Sequence, residues 1–152
     1  MAFLMSFVFT YGYNVDGGAI AEKVGAIGES RTLGYKKYGL DGWITIFIRG
    51  MLCNWMVSMG VVGAVISTSA TSKMLAMWMP IMLFFYMEFE HSIVNMFLFP
   101  FSMIMGGGFT IADYLIWNEL PTILGNLVGG LLFVGLPLYY TYIKKSPGIQ
   151  KD

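Results

Sequence analysis

MLAMWMPIMLFFYMEFEHSIVNMFLFPFSMIM, residues 74–105, is the stretch that decides the fold. As one straight α-helix these 32 residues would extend roughly 48 Å at the helical rise. The hydrocarbon layer of a bilayer is about 30 Å thick and needs about 20 helical residues to cross. The stretch is too long for a simple span and too apolar for a soluble helix. Its polar interruption, Glu88–Phe89–Glu90–His91–Ser92, lies near the middle. Two half-helices joined by irregular backbone near Glu90–Ser92 resolve the length. Irregular backbone at that depth is tolerated where protein buries it or where it lines a cavity.

Composition agrees with a membrane setting. Of 152 residues, 57% are hydrophobic and 12% charged, against about 25% charged in an ordinary soluble domain. Nine basic residues balance nine acidic ones, so no charge excess points to nucleic acid. One cysteine, Cys53, leaves no internal disulfide framework and no zinc cluster within one chain. The single histidine excludes bis-histidine haem ligation within one subunit. No cofactor and no metal site are expected.

Outward from the broken segment, residues 43–66 carry Arg49 as their one charge and are long enough to span. Trp43 stands at one end, where interfacial aromatics gather. Gly60/Ala64 and Gly63/Ser67 are small-xxx-small pairs that allow close helix approach. Residues 115–142 read as the last span, bounded by Trp117 and by Tyr139, Tyr140 and Tyr142. Gly125 and Gly129 form a GxxxG pair within it. Residues 143–152 form a tail whose Lys144, Lys145 and Lys151 place the C-terminus in the cytoplasm. Residues 14–42 are polar and glycine-rich, and read as an extramembrane loop with a short helix near Ala19–Ile27. Residues 1–13 are apolar yet too short to cross, and lack the charged start of a signal peptide. They read as the end of an incomplete span.

A charge at the bilayer centre costs from about 2.5 kcal/mol upwards, so an ionisable residue there normally faces a bundle interior or a water-filled pathway. Glu88, Glu90 and His91 are such residues. A half-helix starting near Ser92 presents free N–H groups and a partial positive charge, which favour a small anion. His91 adds a donor that can become cationic near neutral pH. His91 and Asn95, four apart, share a face of that half-helix. Glu90 can secure the break while His91 faces the pathway. Asn54 lies near mid-span and is suited either to holding another helix or to the pathway. Arg49 can pair with Glu88 or Glu90, or snorkel to the interface. Cys53 reads as packing. Phe84, seven residues before His91, is the aromatic best placed for an apolar constriction.

RGMLCNWMVSMG, FYMEFEHSIVNMF and NELPTILGNLVGGLLF resemble three signature stretches of the formate/nitrite transporter family, in its order and at about its spacing. The FEHS-x-x-NMF run is the specific part. The resemblance covers roughly residues 43–145, the family's last three spans, and places residues 1–13 at the end of its third. It implies an all-α integral membrane protein, here a portion of an aquaporin-like helical bundle whose fifth span is broken. It implies a homopentamer in the cell membrane, surrounded by lipid, with one pore per subunit for small monovalent anions such as formate or nitrite. By resemblance His91 is the central pore histidine and Asn54 the asparagine near it. Glu90, Ser92 and Asn95 belong to the loop motif, and Val57 and Phe84 sit at constrictions. Lys37 is the lysine that draws anions into the vestibule, at a spacing one residue longer than usual.

The family's first two spans and the start of the third have no counterpart in these residues. Two functions stay open on that basis: an anion channel or transporter, or a truncated, non-transporting membrane subunit. An enzyme using Glu90 and His91 as acid and base lacks an accompanying nucleophile or metal cluster.

Overall fold

The computed structural model describes Leu4 and residues 17–144. The expected end of a span at residues 1–13 and most of the tail at 143–152 therefore lie outside the described residues. The described chain is helical throughout, with no strand. Five helices follow one another: α1 (Gly17–Lys36), α2 (Leu40–Ile66), α3 (Ala70–Tyr86), α4 (Ser92–Ile104) and α5 (Ile111–Tyr142, its last turn continuing to Lys144). Both α2 and α5 are long and apolar enough to cross a bilayer. The long segment around residue 90 is two helices, α3 and α4, separated by Met87–His91.

Close approach without side-chain bulk brings α2 and α5 together. Gly125 faces the Phe47 carbonyl and Gly129 the Met51 carbonyl, so the two helices run parallel. From α2, Gly50 meets Thr122 in return; its missing Cβ would lie 3.0 Å from the Thr122 carbonyl oxygen. In this way small residues let backbones touch where lipid supplies no hydrophobic drive between helices. On the opposite face of α2, Gly60 and Gly63 receive Ala76 of α3. Pro80 has no N–H to give the Ala76 carbonyl, and that carbonyl lies against Gly60. A helix break in one element thereby meets a backbone surface in the next.

The expectation for residues 14–42 needs correction. Gly17–Lys36 is one helix of 20 residues, not a loop with a short helix, and it packs along α4. Gly28 lies against Ser102, Ser102 Oγ donates to the Gly25 carbonyl at 3.2 Å, and Thr32 is fully buried. The buried face Gly25–Gly28–Thr32 is small rather than apolar, which is why hydrophobicity does not reveal it. At the far end Lys36 Nζ meets Asp113 Oδ1 at 2.7 Å. Asp113 also closes a capping box with Thr110 at the start of α5. An exposed pair of this kind contributes little, and it connects the end of α1 with the start of α5.

Three stretches of α5 are wound in wide π-turns: Leu115–Glu119, Leu131–Gly135 and Tyr139–Lys144. Such turns recur at functional positions. The first turns the neighbours Asn118 and Glu119 both inward, and both are buried.

Candidate functional site

The segment between α3 and α4 is built from hydrogen bonds at each edge. At the end of α3 the Glu88 N–H donates to the Phe85 carbonyl at 3.1 Å and the Phe89 N–H to the Phe84 carbonyl at 3.0 Å. This is a Schellman-type close, and its left-handed residue is Glu88, at φ 53°. Glycine ordinarily occupies that position; a side chain there costs roughly 1–2 kcal/mol. The Glu88 carboxylate is exposed.

Glu90 turns the other way and is fully buried. Its Oε2 accepts from the Asn95 amide at 3.0 Å and from the Asn118 amide at 3.4 Å. Its Oε1 lies 3.7 Å from Arg31 of α1. Asn95 also donates to Asn118 Oδ1 at 2.8 Å, and Asn118 donates to the Arg31 carbonyl at 3.0 Å. One carboxyl group thus ties the break, α4, α5 and α1 together. Asn95, expected on the pathway beside His91, is a member of this buried anchor instead. Both its amide hydrogens are spent there.

Asn126 secures the break from a second side. Its amide donates to the Gly50 carbonyl at 2.9 Å and to the Glu90 carbonyl at 3.0 Å, while its Oδ1 accepts the Ser92 N–H at 3.1 Å. The Ser92 hydroxyl reaches the same oxygen at 3.4 Å. His91 is the N-cap residue of α4 but its side chain makes no cap bond; the cap comes from α5. Asn54 donates to the Asn126 carbonyl at 2.6 Å. Asn126 lies at the midpoint of α5 and Asn54 near that of α2. The break is therefore held halfway through both apolar helices.

His91 is left free by this arrangement. Its backbone is extended (φ −124°, ψ 118°), its ring is half-buried, and Nδ1 is buried without a hydrogen-bond partner among the described residues. A buried polar atom without a partner asks for a ligand or a water. The Phe84 ring lies 6.0 Å from the imidazole, is itself buried, and stacks on Phe85 at 4.3 Å. The structure thus brings Phe84 to His91, and Asn54 to the joint that holds the break. Val57 is half-buried one turn beyond Asn54. Lys37 lies elsewhere: it is exposed at the turn between α1 and α2, its ammonium 4.9 Å from the Tyr38 ring centroid. Arg49 has no recorded ion pair with Glu88 or Glu90 among the described residues. It donates to the Tyr35 hydroxyl and, at 3.4 Å, to the Met87 carbonyl.

Arg31, Asn118 and Asn126 hold the break and were not singled out by the sequence reading. The signal for two of them was present: Asn118, Thr122 and Asn126 recur every four residues in an apolar span, which puts polar groups on one inward face. Arg31 carried no such signal, because it sits among other charges.

The sequence model of the formate/nitrite transporter family matches residues 1–140. A probable formate transporter of Methanothermobacter thermautotrophicus is 39% identical over 103 residues, covering 68% of this chain and 37% of that protein. A nitrite transporter of Salmonella typhimurium is 36% identical over 103 residues, covering 66% of this chain and 38% of that protein. The chain thus spans well under half the length of these relatives. Among solved structures, a pentameric formate channel with formate bound superposes with a TM-score of 0.72 at 23% identity, over 93% of this chain and 59% of that one. The shared fold is that of an all-α membrane bundle.

Proposed function

Since this chain belongs to the formate/nitrite transporter family, we propose that it lines a transmembrane pathway for small monovalent anions, with His91 at its centre. The observation that carries the reading is the unpartnered Nδ1 of His91, held by the Glu90 and Asn126 joints midway along two apolar helices. An anion reaching this depth meets the imidazole beside the ring of Phe84. A proton shared between anion and imidazole lets the ligand pass apolar walls as the neutral acid, avoiding the cost of carrying a bare charge through a medium of low dielectric. Phe84 and Val57 narrow the path and strip water; Asn54 keeps the histidine side and α5 in register. Formate and nitrite are the substrates of choice, the assembly is a homopentamer in the cell membrane, and the C-terminus faces the cytoplasm.

Formate and nitrite uptake into proteoliposomes carrying the chain tests this. His91→Ala is expected to reduce uptake to the level of empty liposomes while helix content by circular dichroism is unchanged. Uptake that survives the substitution, or wild-type liposomes no faster than empty ones, would overturn the proposal.

A further inference from the structure

A second polar feature stands apart from His91. Between α1, the start of α2 and the end of α3 lies a cavity of about 280 Å3 lined by Ile27, Ser30, Arg31, Tyr35, Arg49 and Glu88, with Ala26 at its wall. Two guanidinium groups open onto it, and each carries five N–H donors and no acceptor. Their recorded partners among the described residues are few. Arg49 reaches the Tyr35 hydroxyl and the Met87 carbonyl, and Arg31 reaches Glu90 Oε1 at 3.7 Å, beyond hydrogen-bond length. Formal charge in the cavity is balanced, Arg31 and Arg49 against Glu88 and the buried Glu90. The donor count is not balanced. Most of the guanidinium donors have no recorded acceptor among the described residues, and a small planar oxyanion matches their fork geometry best, in competition with the Glu88 carboxylate on the same wall.

We propose that Arg31 and Arg49 form an anion-binding subsite, distinct from the contact with His91, that takes a small carboxylate or similar monovalent oxyanion. It rests on the transport reading for the choice of ligand, not for its geometry. Arg49 is placed by Tyr35 and the Met87 carbonyl at the end of α3, and Arg31 by the Glu90 anchor, so the subsite adjoins the break. Glu88 is its opposing charge. Glu88, at a left-handed position where glycine would fit more easily, lines this cavity, and its negative charge weakens the anion's hold and favours its release. A subsite that binds too well would retain its ion.

Two substitutions on the cavity wall act in opposite directions. Ser30→Asp adds a negative charge at an exposed position that holds none of the anchor bonds. Glu88→Gln removes one at constant shape. The probe is 13C-formate, titrated by NMR line broadening against the purified full chain in detergent micelles. Saturable binding is expected for wild type. Ser30→Asp should weaken it at least about tenfold and Glu88→Gln should tighten it about threefold or more, as like charge at close range is added or removed. Measured in the His91→Ala background, which loses uptake and the contact at the imidazole, the weakening by Ser30→Asp and the tightening by Glu88→Gln should persist, so failure of the subsite and failure of the transport reading are separately visible. Non-saturable binding by wild type, or affinities in which Glu88→Gln shows no gain, would overturn the subsite. A misfolded variant cannot mimic a gain.

Discussion

Glu90→Ala is expected to destabilise the chain by about 3–5 kcal/mol, the range found when one partner of a buried ionic and hydrogen-bonded set is removed. The carboxyl group is fully buried and is the common acceptor for Asn95 and Asn118, with Arg31 at its other oxygen. Truncation strands one guanidinium and leaves amide hydrogens short of an acceptor in a setting without water. Glu90→Gln keeps one carbonyl oxygen for the amides and should cost less, about 1–3 kcal/mol for the weakened contact with Arg31. Equilibrium unfolding in a detergent-to-SDS titration reads both. A loss below about 1 kcal/mol for the alanine variant, within the range of an ordinary surface change, would remove Glu90 from its role as anchor. Because the carboxyl group joins α1, α4 and α5, the same variant should also lose uptake.

The second large effect is steric. Gly129→Val should destabilise by at least about 1–3 kcal/mol, the cost of overpacking a filled contact, because its added carbons meet the Met51 backbone rather than a side chain that could turn aside. Gly125 stands in the same position against the Phe47 carbonyl. A control separates this from a general sensitivity of glycines. In α1, a Cβ on Gly34 would meet Ser30 Oγ at an ordinary 3.7 Å. Gly34→Ala should therefore stabilise by about 0.5–1 kcal/mol through the backbone freedom it removes from the unfolded chain. The same titration reads the pair, and equal signs for the two would refute the close approach of α2 and α5.

Both of these residues could be marked from sequence, for different reasons. A 32-residue apolar stretch is too long to cross in one piece, so its polar middle had to be a break. A GxxxG pair in an apolar helix has little to offer except closeness. Length and period are properties a sequence displays directly. The partners of the break are not, because they lie far along the chain and are chosen by packing. Glu90 finds Arg31 of α1 and Asn118 of α5, and neither is implied by anything within ten residues of it. Arg49 was the nearer cation in an apolar setting, yet its guanidinium goes to Tyr35 and to the Met87 carbonyl. The misreading of residues 14–42 has the same root. Charge marks a stretch as polar but does not show which of its faces is small enough to lie against a neighbour. Asn95 shared a helix face with His91 on paper; its burial with Asn118 shows that the face was divided by what stands opposite.

The joints at Glu90 and Asn126 also divide the bundle by the way its helices are held together. They clamp α2, α4 and α5 to one another through amide and carboxyl bonds at the mid-plane. By contrast, α3 leans on α2 through Gly60 and Gly63, with Pro80 interrupting its own ladder. Among the described residues its recorded side-chain hydrogen bonds are those of its first turn and the one from Arg49 to the Met87 carbonyl at its end. Phe84, the ring beside His91, is carried on this half-helix, which small-residue packing holds. The imidazole and the ring beside it are thus secured by different means, hydrogen bonds on either side of His91 and close packing beneath the helix that carries Phe84.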